Sequence, residues 1–526
     1  MTETAGAPQN SSTGAGRDFL TRRKFAVAAL SGVLASRLLP SAAVGAAALP
    51  TRRTLPDYRR TGDRSDSEAL LRMIGSGIAH IHLPGGGGSA RDGTYRIGMD
   101  AVRQGSGLPS GTRITGDGAD TIVRPAAASQ GCVFDVLASN AREPVRDIAF
   151  EDFAVIGWVA EDLFNEPTHL FRINGLRGAV FRNLSVSGFQ GDGIYLGSGL
   201  RLGDERHNSL VEIANCRFDG LNGNNRNAIS VIDCDSFTLT DCSARRVTRS
   251  GDGTGRIPQT PAERRNPRFG LGMPGALTFE PDRVGRFPVI RDVRVQGWSV
   301  EDCGGAAVAL NLRENDSLDR PHSAIALTNI AATRCRIGIA GHGYSGDKAL
   351  TQAVPYGIAV EGFAARDCAI PFQFDGLVDA SLAGTANNCG TAMLGFAGGA
   401  NRAITIRCDF RDCGKSDALN PGVALRIARS TRNLSLDSSS FSGCGSSRAD
   451  QPTTLIYFTG GSHTGMSAKN LSARATVSSP SQRPRLIGVA GGGVDLSARS
   501  ADVSVQSADW SLGADDFANM VARRGG

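Results

Sequence analysis

The chain has 526 residues, 40% of them hydrophobic and 21% charged, with a formal net charge of +6. That is too apolar for a disordered chain and too mixed for a membrane-embedded one. So small a charge gives no support to nucleic-acid binding, and no nucleic-acid partner is expected. Glycine accounts for 67 residues, nearly double the usual ~7%, while aromatics make up only 6%. Because Gly costs ~1 kcal/mol at a helix-interior site, this composition favours short strands and tight turns over a helical bundle.

At the N-terminus, Thr21-Arg22-Arg23-Lys24-Phe25 opens a weakly apolar run from Ala26 to Leu39, and Ala46-Ala47-Ala48 offers a small-residue cleavage site. The run is shorter than the ~20 apolar residues of a membrane span, and Arg37 interrupts it. Residues 1–48 therefore read as a twin-arginine signal peptide. The expectation is export by the twin-arginine machinery to the periplasm or the exterior, without stable membrane insertion. Residues 49–526 are expected to form one domain.

Next, Ala69, Leu70 and Met73 recur at helical spacing behind Ser65 or Asp66 as N-cap. This predicts a capping helix over about 66–75, within an N-terminal cap of about 57–77. A strand over Ile78–Leu83, a Pro-Gly turn and Gly93-Thr94-Tyr95-Arg96-Ile97 follow. From about residue 145 one pattern recurs: a short strand, a polar residue, Cys or a small residue, then a Gly turn. Examples are Leu239-Thr240-Asp241-Cys242, Val300-Glu301-Asp302-Cys303 and Arg411-Asp412-Cys413. A period of roughly 20–35 residues with such short strands marks a solenoid. Alternation such as Ala403-Ile404-Thr405-Ile406-Arg407 points every second side chain inward. A coil this short buries its apolar side only by stacking on its neighbours, so the fold is expected to be all-β, a parallel β-helix. Ala514 to Arg524 reads as a short closing helix in a C-terminal cap of about 511–526.

The chain carries 11 cysteines, most of them near strand ends. They read as reduced, buried rungs of an internal ladder, with one or more disulfides as the alternative. Neither their spacing nor any nearby His matches a zinc pattern.

Three segments narrow the reading: Gly191-Asp192-Gly193-Ile194, Asn225-Arg226-Asn227-Ala228-Ile229-Ser230-Val231-Ile232, and Pro274-Gly275-Ala276-Leu277-Thr278-Phe279-Glu280-Pro281. With the opening order of helix, strand, Pro-Gly and Gly-Thr-Tyr, the chain resembles the pectate-lyase-like right-handed β-helix superfamily over about residues 57–510. The second segment is similar to the Arg-Asn-Gly-Ile-Ser-Val-Ile coil of bacterial polysaccharide-degrading members, and the third to their Gly-Ile-Asp-x-Glu-Pro element. Thr278 stands where those proteins usually have Asp, and Ala276 where they have Gly. The resemblance implies a right-handed β-helix. Because that fold hosts lyases, hydrolases, epimerases and adhesins, it does not by itself choose a reaction.

Longer interruptions at Leu196–Ser209, Arg249–Pro274, Leu312–Ser323 and His342–Tyr356 would wall a side groove between about Asp192 and Tyr356. Glycoside hydrolysis needs two carboxyls flanking the scissile bond. Glu280 leads the candidates, with Asp282 two residues on and Asp192, Asp233 and Asp235 within one or two coils; the competing reading of each Asp is a turn cap. His342, in Gly341-His342-Gly343, is a candidate acid or base, against a plain solvent-exposed loop His. Arg226 and Arg313 are candidates to bind substrate carboxylates. Tyr195 and Tyr344 are candidate substrate contacts, or bases in a lyase. The reading is an exported enzyme that hydrolyses glycosidic bonds in a polysaccharide, without a cofactor. The alternatives are a lyase or epimerase acting on uronate polymers, where Ca²⁺ enters as charge neutraliser, and a non-catalytic glycan-binding β-helix. The oligomeric state stays open, a homotrimer among the options.

Overall fold

The computed structural model describes residues 52–505, apart from 101–106, 128–131, 160–164, 200–203, 223–224, 249–274, 284, 352, 416–421, 446–452, 475–484 and 490–494. The expected signal peptide, the closing helix and the Arg249–Pro274 interruption lie outside these residues.

The chain winds into a right-handed parallel β-helix. Each strand pairs in parallel with its counterpart one coil on, as Ile290–Glu301 does with Ser323–Thr333 and then Ile358–Arg366. A sheet of twelve short strands runs from Phe134–Leu137 to Arg485–Val489, and a larger bent sheet of nineteen strands closes the coils. The first coil is covered by the helix Asp66–Gly75. Ser65 is its N-cap, with a capping box in which Ser65 Oγ accepts from Ser67 N and Glu68 Oε2 accepts from Ser65 N. The cap satisfies backbone donors that the first helical turn would otherwise leave unpaired. Ala69, Leu70 and Met73 face the core. The following strand is His80–Leu83, two residues shorter at its start than expected.

The polar residue of the repeating pattern turns each corner. Asp302, Arg334, Asp367, Asn388 and Asp412 all have φ between 50° and 56°, the left-handed region that Asn, Asp and Gly tolerate best. The next residue turns inward. Register pairing stacks Cys303, Cys335, Cys368, Cys389, Cys413 and Cys444 on successive coils, and Cys216 on Cys242. All eleven cysteines are free and buried. A second left-handed row bends the long strands: Asp241, Gly297, Asn329 and Gly362 are successive rungs. A β-carbon on Gly297 would lie 2.4 Å from Asp241 Oδ1, so glycine alternates there with a side chain that leans across it. Inside, Phe134, Phe150, Phe171 and Phe181 interlock at centroid distances of 5.1–5.5 Å. No helix among the described residues is long and apolar enough to cross a membrane.

Candidate functional site

Four consecutive rungs of the twelve-stranded sheet assemble the site. Ile194, Ile229 and Leu277 are register partners, and so are Ile194 and Phe171. The residues just ahead of these strands therefore stack too: Leu170 N donates to the carbonyl of Asp192, Gly193 N to that of Asn227, and Arg226 N to that of Gly191. His169, Asp192 and Arg226 thus come to one corner. Glu280, immediately after the strand Gly275–Phe279, reaches it from a neighbouring coil.

Arg226 is the hub. Its Nη1 is 2.9 Å from Asp192 Oδ2, its Nη2 is 2.9 Å from Glu280 Oε2, and its Nε is 3.3 Å from Glu166 Oε1. Arg226 lines the cleft, but its guanidinium is held by the protein's own carboxylates rather than left open for a substrate carboxylate. Asp192 is fully buried. Its Oδ1 accepts from Asn227 N at 3.1 Å, and His169 Nδ1 lies 3.3 Å from its Oδ2. Burial alone would raise its pKa, yet His169 and Arg226 hold it below the ordinary aspartate value. Glu280, with 30% of its side chain exposed, goes the other way: burial raises its pKa, and Arg226 offsets this only in part. One guanidinium therefore joins two carboxyls whose environments drive their protonation in opposite directions.

The cleft beside them has a volume of about 530 Å³ and is lined by Glu166, His169, Tyr195, Arg226, Glu280 and Asp282, among others. The Tyr195 ring stacks on His169 at 4.4 Å, nearly parallel, and burial followed by the nearby Asp282 raises the phenol's pKa. Tyr195 is thus a wall of the cleft and a poor base. Asp282 is exposed at the rim and accepts a hydrogen bond from Ser198 Oγ. Thr278 is buried, with its hydroxyl donating to the carbonyl of Gly275; that position supplies no carboxyl.

The other expected residues lie elsewhere. Asp233 is buried outside the cleft, accepting from Val289 N at 2.9 Å and facing His207 Nδ1 at 3.0 Å, with burial raising its pKa. Asp235 faces Arg291 and Arg320 on the surface. Arg313 donates to the carbonyls of Asp282 and Gly285 and so braces the turn behind the cleft. Tyr344, expected as a substrate contact, is instead a core residue beside Tyr356, its hydroxyl accepting from Val354 N. His342 is two coils from Glu280, paired through Nδ1 with Asp375 Oδ2 at 3.5 Å. Sequence reasoning missed His169, Glu166 and Asp375. For His169 a signal existed: Thr168-His169-Leu170-Phe171 enters its strand as Gly191-Asp192-Gly193-Ile194 does. Among the described residues no group of three or more His, Cys, Asp or Glu is arranged to hold a metal ion.

No protein-family model matches the chain, and no curated protein matches it. Solved structures do. The catalytic unit of an α-1,3-glucanase of family GH87 from Streptomyces thermodiastaticus is 14% identical, covers 86% of this chain and 70% of its own, and gives a TM-score of 0.41. The surface adhesin PfbA of Streptococcus pneumoniae is 12% identical over 87% of this chain and 94% of its own, with a TM-score of 0.38. The A-module of the mannuronan C-5 epimerase AlgE6 of Azotobacter vinelandii is 12% identical over 86% and 99%, with a TM-score of 0.37. Likeness at this level assigns no activity to the chain.

Proposed function

We propose that this protein is an exported enzyme that hydrolyses glycosidic bonds in an extended glycan, with Glu280 as general acid. The observation that carries the reading is the Glu280 carboxyl itself, which rims an open cleft with its pKa raised by burial. Burial favours the protonated form of this carboxyl, and a departing glycosidic oxygen requires a proton donor. Asp282 is the partner carboxylate on the same cleft. A hydrolase pair places its two carboxyls ~5–9 Å apart, and Glu280 and Asp282, two residues apart in the chain, both line this cleft. As the glycosidic C–O bond breaks, the Glu280 proton passes to the leaving oxygen. Asp282 meets the anomeric carbon directly or through a water molecule, and the stereochemistry of the product separates these two routes. Asp192 has no exposed atom and acts through Arg226 as a positioning residue.

The test is Glu280→Gln, which keeps shape and removes the proton. Reducing-end release should fall at least ~10²-fold, the low end for a general acid, with thermal melting unchanged. A folded variant with near-normal cleavage would remove Glu280 from the chemistry. An ultraviolet-absorbing unsaturated uronate as product would identify elimination instead, and glycan binding with neither signal would identify a binding protein. Export by the twin-arginine route belongs to the same proposal. Changing Arg22 and Arg23 together to Lys should retain the protein in the cytoplasm, and unchanged secretion would refute that route.

A further inference from the structure

The buried corner that holds Arg226 also fixes an imidazole. His169 Nδ1 accepts from Asp192 N at 3.2 Å and lies 3.3 Å from Asp192 Oδ2. The ring packs flat against Tyr195, with planes only 5° from parallel. Each ring reaches the cleft from its own rung: His169 sits two residues ahead of the strand Phe171–Asn174, and Tyr195 lies inside the strand Ile194–Gly197 that pairs with it. Only 9% of the His169 side chain is exposed, so neither ring nitrogen can turn away from its surroundings.

Two polar atoms on these rings are uncommitted. Among the described residues neither His169 Nε2 nor the Tyr195 hydroxyl has a hydrogen-bond partner, and neither is sealed from solvent. Both side chains line the same cleft as Glu280. Their neighbours decide where the protons sit. Among the described residues Asp192 N has no acceptor other than His169 Nδ1. A proton on Nδ1 alone would leave that buried N–H unpaired, which is costly, so the neutral ring carries its proton on Nε2. In the charged ring Nδ1–H turns to Asp192 Oδ2, and Nε2 keeps its own proton. His169 therefore offers an N–H to the cleft in either charge state. Tyr195 offers an O–H, because burial keeps the phenol protonated.

We propose that His169 Nε2 and the Tyr195 hydroxyl are a pair of donors that hold hydroxyl or ring oxygens of the sugar unit seated beside Glu280. The inference rests on the glycan reading above and deepens it. Arg226 is already paired with Asp192, Glu280 and Glu166, so this corner recognises uncharged sugar oxygens rather than a carboxylate or sulfate group.

The experiment is electrophoresis of the purified full chain through native gels containing dextran, xylan or polygalacturonate. The wild type should be retarded in at least one of them. Tyr195→Phe removes one hydroxyl and keeps the stacked ring, so its melting should be unchanged. His169→Asn keeps an acceptor for Asp192 N in the place of Nδ1 and removes the donor at Nε2. In the gel that retards the wild type, each variant should weaken the apparent affinity ~2–10-fold, the range of one hydrogen bond. The loss should be the same at low and at high salt, because screening acts on charges. A Tyr195→Phe protein retarded like the wild type would overturn the pair. So would a loss confined to low salt, which would mark charge recognition, or a wild type retarded in none of the gels. Cleavage by a folded Glu280→Gln protein would overturn the catalytic reading while leaving the comparison of the Tyr195 and His169 variants standing, so the two failures are distinguishable.

Discussion

Replacing Arg226 by Met keeps the aliphatic stem and removes the charge that Asp192 and Glu280 share. Each carboxyl oxygen lies 2.9 Å from a different terminal nitrogen of the guanidinium. With charge centres about 4 Å apart, the attraction is ~4 kcal/mol at an effective dielectric of 20. At 1.36 kcal/mol per pKa unit this corresponds to about 3 units for a pair fully shielded from water. The Glu280 side chain is 30% exposed, so solvent screening reduces the effect, and an upward shift of roughly 1–2 units is expected. The sign follows from the charge. Arg226 favours the ionised carboxylate, and without it Glu280 keeps its proton to higher pH. A general acid is active when protonated, so the basic limb of the pH profile of kcat/KM should move upward by that amount. Arg226→Lys, which restores a positive charge, should bring the limb back toward its original place. The assay is reducing-end release across pH at low substrate concentration. A basic limb that stays put or moves downward in a folded Arg226→Met protein would refute the reasoning.

Three further outcomes follow from the same geometry. Asp192→Asn leaves Arg226 and His169 facing a neutral amide in a buried corner, and should cost about 3–5 kcal/mol of stability, read by denaturant unfolding. Because the Asp192 pKa is lowered by folding, its contribution is fully present above the unfolded value of ~3.9 and is lost as pH falls through the lowered folded value; the Asn variant should lack that part of the acid-induced loss of stability. Gly297→Ala, at φ 68° and with a β-carbon 2.4 Å from Asp241 Oδ1, should cost ~1–3 kcal/mol, and the melting point should recover in part in the double variant with Asp241→Gly. A thiol-reactive chromophore should label none of the described native cysteines within minutes and all eleven in denaturant, since every one is free and buried; rapid labelling of the native protein would mean that the ladder opens.

The winding was legible because its corners are chemical. An Asp or Asn in the left-handed region followed by a small inward residue is a local requirement, and Asp302-Cys303, Asp367-Cys368 and Asp412-Cys413 display it in the sequence. Arg226 and Glu280 were legible as site candidates for a related reason: both flank short strands, which the fold places one coil apart. His169 was not found, because its importance comes from register with Asp192 rather than from its neighbours in the chain. Tyr344 and Arg313 were misplaced for the opposite reason. They sit in loops, and only the fold decides whether a loop side chain faces a groove, the core or the backbone of the next turn. Asp375 was invisible because a lone aspartate at a strand end carries no mark of the imidazole stacked beside it.

The cysteine ladder constrains when the chain must fold. Its six rungs are closed off only once six coils are wound, and register places the backbone of each cysteine about one strand spacing, ~4.8 Å, from the next, within the Cα separations that a disulfide spans. An unwound chain entering such a medium would expose eleven thiols, and disulfides formed between rungs out of order would block the winding that follows. A wound chain would present none of them. For the export proposed above, the order of events therefore matters more than for a protein without such a ladder: winding would come first, in a reducing compartment, and transfer to an oxidising one second. A route that carries folded cargo satisfies that order, whereas a route that threads an unfolded chain would place the thiols in oxidant before any coil could cover them.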